Sequence, residues 1–348
     1  VLSLAELGVA EWFWRLRTCP FRWAETATAT GRVLTGFDVS AMTVKAPAFV
    51  VRRADLHRAL VEQLDPSTVT LGTRATRVEQ TGRAATVRFA DGREVTGDVV
   101  VGADGLHSVV RAGLVGDDPP RYSGETCYRG LARFAVADVG MLREVQAPGR
   151  RCAVHPIDAG HVYWWATRRS APSVVESADE RAAVLERLFA GWRFGFPEAL
   201  AATPAPAILK NDLFDRRPLR RWSAGRVTLL GDAAHPTTPN LGLGGCLAIE
   251  DALVLARAFD EHGADPVRAL QQYESERRDR TAQVVRMSRW FGRLGSLTHP
   301  VAVRARDLAT ALTPTTVTAA AFGRAVTYDP GPLRRHGTMD PDSPPAAT

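Results

Sequence analysis

Residues 226–259 read RVTLLGDAAHPTTPNLGLGGCLAIEDALVLARAF. Val227 to Leu230 is a β-branched and leucine run of the kind that forms a buried parallel strand. It ends at Gly231-Asp232, and a loop punctuated by Pro236 and Pro239 leads into Gly242, Gly244 and Gly245. Leu247, Ile249, Leu253, Val254 and Ala256 then recur at helical spacing, so a helix starts within or just after the glycines. Such a strand, loop and glycine-rich helix start present bare N–H groups and the positive end of a helix dipole. That arrangement suits an anionic or electron-rich ligand.

The run GDAAHPTTPNLGLGGCLAIEDA resembles the second flavin motif of the FAD-dependent aromatic hydroxylases, the single-component flavin monooxygenases of p-hydroxybenzoate hydroxylase-like fold. The resemblance spans more than twenty positions in register and implies that Asp232 contacts the flavin ribityl or ribose hydroxyls. It also implies that Gly231, Pro239, Gly242, Leu243 and Gly244 hold the flavin by backbone, with the helix start against the pyrimidine edge of the isoalloxazine. Two further stretches fit the same family. In FVVRRADLHRALVEQL, residues 49–64, Arg53 matches an arginine that reaches toward the ribityl or pyrophosphate. In VVVGADGLHSVVRAGL, residues 99–114, a buried strand runs into Gly102-Ala103-Asp104-Gly105 and then a helix carrying Ser108 and Arg111. Asp104 and Gly105 match the family's Asp-Gly motif, whose aspartate lies near the flavin and the path of the nicotinamide cofactor.

The implied fold is α/β: a Rossmann-like FAD-binding domain, an inserted α+β substrate sheet domain, and C-terminal helices. On that reading residues 1–17 and 51–117 begin the FAD-binding domain, and 18–50 and 118–220 form the substrate sheet domain. Residues 221–295 complete the flavin domain, 296–328 form a C-terminal helical segment, and 329–348 are a disordered tail. The family places a βαβ unit with G-x-G-x-x-G ahead of the leucine-rich start Leu2, Leu4, Leu7, Val9, which Trp12 and Trp14 follow. The given sequence contains no such unit, and a piece of at least about 30 residues is expected upstream of Val1.

Along the chain, residues 21–50 read as a strand pair with turns at Thr30-Gly31 and Gly36-Phe37-Asp38. Val69 to Arg77 reads as a strand, and Ala84 to Phe89 with Glu94 to Val99 as a hairpin around Asp91-Gly92. Short strands are expected at 127–134, 151–157, 161–167 and 208–214, with a helix at 178–190. Trp164 and Trp165 must face opposite sides of their strand. His155 and His161 read as structural, Arg216 to Arg221 as a solvated connection, and the charges of Glu274 to Arg280 as a solvated helix face. Helices are expected over 265–294 and 301–312.

Of the 348 residues 45% are hydrophobic and 24% charged, ordinary globular values. The net charge is +6, yet Lys45 and Lys210 are the only lysines among 44 basic residues, and no basic run interleaves with stacking aromatics. That argues against a nucleic-acid surface. Cys19, Cys127, Cys152 and Cys246 show no metal or disulfide spacing, so reduced thiols, no metal and a cytoplasmic location are expected. No apolar run reaches the roughly 18 residues of a membrane span.

The resemblance implies FAD as a non-covalent cofactor and NADPH or NADH as electron donor. It further implies O2 as co-substrate, a flavin C4a-hydroperoxide as oxygen donor, and an aromatic or polyketide-like small molecule that is hydroxylated or epoxidised by a monomer or homodimer. The family's glutamines are replaced here by Leu243 and Leu247. No catalytic base is identifiable in the sequence. Two other readings stand beside the monooxygenase: a reductase or halogenase of the same fold, the latter disfavoured by two lysines, and a truncated chain that folds without turnover.

Overall fold

The computed structural model describes residues 2–7, 9, 21–40, 50–116, 118–134, 140–158 and 160–331. The strands are β1 (Trp23–Thr28), β2 (Val33–Asp38), β3 (Ala75–Gln80), β4 (Ala85–Phe89), β5 (Glu94–Gly97), β6 (Val100–Gly102) and β7 (Arg121–Arg133). After them come β8 (Met141–Ala147), β9 (Arg150–Pro156), β10 (His161–Arg169), β11 (Leu209–Asp215), β12 (Ser223–Ala224) and β13 (Val227–Leu229). The helices are α1 (Leu2–Glu6), α2 (Arg53–Val61), α3 (Val109–Val115), α4 (Ala178–Phe189) and α5 (Phe196–Ala201). Then follow α6 (Gly244–His262), α7 (Pro266–Gly295), α8 (Pro300–Leu312) and α9 (Thr315–Val326).

A seven-stranded sheet runs β11-β7-β10-β9-β8-β1-β2, and two three-stranded sheets run β12-β13-β6 and β3-β4-β5. The mixed α/β class therefore stands. In the large sheet Trp164 pairs with Gly130 and Trp165 with Arg129 and Ala153, so successive tryptophans face opposite sides. Trp164 is fully buried under α4 and α5 with Leu185, Phe189 and Phe196, and its indole N–H donates to Thr203 at 2.8 Å. Gly130 makes room for it, since a Cβ there would lie 2.5 Å from the indole. Trp165 faces the opposite side.

The second core joins β13 to α6 and α7 through Leu229, Val254, Ala258, Leu270 and Tyr273. At the α6–α7 corner Asp265 accepts from the Arg268 N–H at 3.1 Å and Pro266 opens the helix, a favoured start.

Several expectations change. Strand β3 begins at Ala75, and 69–74 are irregular. Gly36 to Asp38 belongs to β2 rather than a turn; a Cβ on Gly36 would meet the Trp23 indole at 2.9 Å, so glycine there serves packing. Strand β8 and helix α5 are additions to the sequence reading, and the 296–328 segment holds a second helix, α9, after α8. Glu274 and Arg277 are buried, not solvated: Glu274 accepts the N–H groups of Trp222 and Ser223 at 2.9 and 2.6 Å. Arg216 is buried too, for a reason the site supplies. Cys127 and Cys152 are buried free thiols and Cys246 is free. Trp12, Trp14, Cys19, Lys45 and residues 332–348 of the expected tail lie outside the described residues. No helix among the described residues is long and apolar enough to cross a membrane.

Candidate functional site

Strands β6 and β13 are parallel neighbours, with Gly102 opposite Leu229. Their C-terminal ends therefore open side by side into Ala103-Asp104-Gly105 and Leu230-Gly231-Asp232. In open parallel sheets this is where ligands bind. A Cβ on Gly102 would lie 2.6 Å from Val110 and 3.0 Å from Leu229, so glycine is required for α3 to pack against the strand pair.

Arg111, 1% exposed, runs from α3 across to the second loop and donates to the carbonyls of Ala233 and Ala234 at 3.0 and 2.9 Å. Arg216 donates to the Leu106 carbonyl at 3.0 and 2.8 Å, so this member of the basic stretch staples the first loop from the other side. The Asp104 carboxylate is committed to α3: it accepts from the Ser108 hydroxyl at 2.5 Å and from the N–H groups of Val109 and Val110 at 2.7 and 3.3 Å. What this loop offers a ligand is backbone. Gly105 has φ +78° and open space where a Cβ would stand.

Asp232 is exposed at the surface, yet the protein around it still desolvates its carboxyl. That desolvation raises its carboxyl pKa, while His235 and Arg53 pull it down. Arg53 on α2 is thus close enough to act on the Asp232 charge. Arg53, the Asp104-Gly105 loop and Asp232, distant in sequence, meet in one region.

The Gly231–Ala233 turn, where Gly231 has φ +60°, is clamped at both ends by one carboxylate. Asp251 Oδ2 accepts from the Gly231 N–H at 3.0 Å and pairs with His235 Nε2 at 2.5 Å, while Oδ1 accepts from Arg277 at 2.7 Å. Burial opposes ionisation of Asp251, but His235 and Arg277 outweigh it and its pKa is lowered. Arg277 also holds Glu250 at 2.7 Å, and Arg280 holds Glu250 at 2.9 and 3.0 Å. Both guanidiniums lie over the Tyr328 ring, at 4.6 and 4.5 Å. The sequence reading missed this network. Its signal was Glu250-Asp251, two acids inside an otherwise apolar helical run.

Pro239 opens a 3-10 turn over Pro239–Leu241, Gly242 follows at φ +66°, and α6 begins at Gly244 with no side-chain cap from Leu243. The first N–H groups of a 19-residue helix are therefore not taken up by a cap. The Leu243 side chain is buried with Leu247, Val284 and Ala325, so only its backbone can serve a ligand. Open space at Gly242 and Gly245 leaves room for a flat group against this backbone. Exposed glycine backbone, an uncapped helix start and a desolvated carboxylate fit a flavin, and Asp232, Arg53 and the backbone of 104–105 and 242–244 would hold it.

Across from this turn stands the face of the large sheet opposite Trp164. Arg151 on β9 donates to Asn240 Oδ1 at 2.7 Å and to both Glu125 oxygens at 3.1 Å, joining sheet to turn. Farther along that face, Trp165 donates its indole N–H to His155 Nε2 at 3.0 Å, and Tyr163 stacks on His155 with centroids 6.2 Å apart. Burial lowers the His155 pKa to about 4 and raises the Tyr163 pKa to about 12, so both are neutral near pH 7. At the far end a cavity of about 260 Å³ is lined by Leu131, Ala132, Arg133, Ile157, Asp158, His161 and Arg52, the neighbour of Arg53. His161 pairs with Asp158 at 2.9 Å, as a structural histidine would.

Residues 4–288 match the family described as FAD binding domain. The chain is 38% identical over 283 residues to the aurachin C monooxygenase/isomerase of Stigmatella aurantiaca, covering 78% of this chain and 73% of that protein. It is 35% identical over 251 residues to the chloroplastic zeaxanthin epoxidase of Nicotiana plumbaginifolia, covering 69% of this chain and 38% of that protein. The structure of Klebsiella pneumoniae HpxO complexed with FAD and uric acid superposes with a TM-score of 0.86 at 29% identity, covering 93% of this chain and 84% of that one.

Proposed function

The chain belongs to the FAD-binding-domain family of flavin-dependent monooxygenases, and on that premise we propose that it binds FAD non-covalently where β6 and β13 end and oxygenates an aromatic small molecule. The observation that carries this reading is the convergence of Arg53, the Asp104-Gly105 loop and Asp232 beside an uncapped glycine-rich helix start. Bound FAD would take electrons from NADPH or NADH and activate O2 for transfer of one oxygen atom.

The protein's part is placement and electrostatics. Asp232 accepts hydroxyl hydrogen bonds from the cofactor's sugar-alcohol chain, and Arg53 supplies positive charge beside it. The N–H groups at Gly244 and Gly245, with the helix dipole behind them, would stabilise negative charge on a flavin ring held there. Pro236 and Pro239 stiffen the loop, and the Asp251 clamp fixes the turn that presents Asp232. The sheet face bearing Trp165, Tyr163 and His155 forms the opposing wall and excludes water from the aromatic substrate. Hydroxylation or epoxidation of a planar compound suits this wall; among the relatives, one is named an epoxidase and a structural neighbour holds uric acid. A halogenase would want a free lysine in the groove; among the described residues the lysine is Lys210, which is on the α4 side of the sheet and paired with Glu176 at 3.3 Å.

The test is reconstitution. Purified protein incubated with FAD should retain a flavin absorbance spectrum through gel filtration. It should also oxidise NADPH or NADH faster when an aromatic substrate is added. A colourless protein after reconstitution refutes flavin binding. Flavin binding with no aromatic-stimulated oxidation refutes the monooxygenase reading.

A further inference from the structure

The sheet face opposite the Gly-Asp turn carries one polar group whose state is set by its neighbours and whose purpose the fold leaves open. An indole N–H can only donate, so the 3.0 Å contact from Trp165 requires a lone pair on His155 Nε2. In a neutral imidazole the proton is then on Nδ1. That Nδ1–H is buried and has no hydrogen-bond partner among the described residues. His155 itself is 6% exposed. A buried donor left unpaired costs about 1–3 kcal/mol, and a native structure that keeps one calls for an explanation.

The surroundings supply it. Tyr163 stacks on one side of His155, and Phe21 meets it edge-on at a centroid distance of 6.2 Å. Leu131, Tyr163 and His155 form one row across β7, β10 and β9, and Leu131 is 44% exposed. Ile157, two residues beyond His155 on the same face, lines the cavity of about 260 Å³ together with Leu131 and Arg52. Two arginines on this face have partners: Arg151 is occupied by Glu125 and Asn240, and Arg129, opposite Trp165, donates to Asn211 at 3.3 Å. The row is therefore an aromatic slot in which the His155 Nδ1–H is the buried donor held in one orientation.

We propose that His155, locked by Trp165 as its Nδ1–H tautomer, is a specificity-determining residue that donates a hydrogen bond to a carbonyl or phenolate oxygen of a planar aromatic substrate stacked along Tyr163. This rests on the monooxygenase reading for its substrate, but the tautomer and the slot belong to the chain itself. Replacing the donor removes recognition of the oxygen and leaves stacking, so discrimination among ring systems falls away together with affinity.

The experiment uses 15N-histidine-labelled protein, with FAD loading first checked by visible spectrum, and 4-quinolone as the probe. The spectrum of the free protein at pH 7 should show His155 with protonated Nδ1 and bare Nε2, and 4-quinolone should shift the Nδ1 resonance. An asparagine amide stands near the Nδ1 position and a glutamine amide near Nε2. His155→Asn should therefore bind 4-quinolone within about threefold of wild type, while His155→Gln and His155→Phe bind about tenfold more weakly, one hydrogen bond's worth. Trp165→Phe should release the tautomer and let both ring nitrogens exchange protons. A protonated Nε2 in wild type overturns the proposal, as does bound 4-quinolone with no Nδ1 shift, or equal affinities for the three His155 variants. Where a variant fails to fold, the two wild-type spectra decide. A chain that takes up no FAD but shows the tautomer and the shift refutes the monooxygenase reading and leaves His155 as the donor.

Discussion

The turn at Gly231–His235 and the sheet face across from it are built by different means. The turn is held by buried charge: Asp251, Arg277, Glu250 and Arg280 contact one another and the Tyr328 ring. The sheet face keeps one buried ion pair, Arg151 with Glu125, at the end nearest the turn, and beyond it is held by aromatic packing around neutral His155 and Tyr163. The first arrangement fixes a backbone shape, because carboxylates and guanidiniums tolerate little displacement once desolvated. The second fixes a surface and leaves its polar detail free to vary. A cofactor common to a family asks for the former, and a substrate particular to each member asks for the latter.

The strongest test of that contrast is to remove the charge at the centre of the turn. Asp251→Leu keeps the forked side-chain shape but leaves His235 unpaired and Arg277 with Glu250 alone in the interior, and urea unfolding should show a loss of about 3–5 kcal/mol. Asp251→Asn retains hydrogen bonds to Gly231 and should lose less stability while still weakening FAD binding. If Asp251→Leu unfolds at the wild-type urea concentration, the turn is not held by this network.

Much of the turn was legible from sequence, and little of the opposing wall was. Gly231-Asp232 and Gly102 to Gly105 advertise themselves, because glycine is demanded where backbone must approach a ligand or a helix must touch a strand. Asp251 and Arg277 stayed hidden, since a charge in a helix looks the same on paper whether it meets water or another charge. Asp104 was legible as a motif while its carboxylate proved to cap α3. On the sheet, the alternation of Trp164 and Trp165 was readable, but which one faced the groove depended on β8, α5 and the cross-strand register, none of which the local pattern encodes. His155 acquires its meaning only from Trp165 on the next strand.

The sheet side answers to pH where the turn does not. His155 has a folded pKa of about 4 against 6.5 for the free side chain, so the unfolded chain binds the extra proton between those values. Its contribution to stability is complete above pH 6.5 and is lost as pH falls toward 4, by about 3 kcal/mol in all. Asp251, whose pKa is lowered, loses its contribution only below the ordinary carboxylate range. The difference in unfolding free energy between wild type and His155→Phe, measured from pH 7 to 4, should shrink with that slope. A difference independent of pH would mean that the imidazole is not held neutral.

Asp232→Asn separates binding from folding on the turn side. Asp232 has no hydrogen bond among the described residues, and burial already raises its pKa, so the folded chain gains little from its charge. Neutralising it should leave the urea midpoint unchanged or slightly higher. FAD affinity should fall about tenfold or more, since hydrogen bonds to a charged acceptor contribute roughly 1.5–3 kcal/mol. Equal FAD affinity in the variant would remove Asp232 from the proposed site.

Gly105→Ala should give the smallest effect and isolates backbone from space. Nothing lies within 4 Å of the position a Cβ would take, so no neighbour has to move. The cost comes from φ +78° alone, about 1 kcal/mol for an L side chain. Gly102→Ala is the opposite case, with ordinary backbone and a Cβ driven to 2.6 Å from Val110. If the loop after β6 serves a cofactor through its backbone, Gly105→Ala should weaken FAD binding by more than its loss of stability accounts for, because the methyl fills the open side of the loop. Gly102→Ala should instead lose stability first, with affinity following only as the fold gives way.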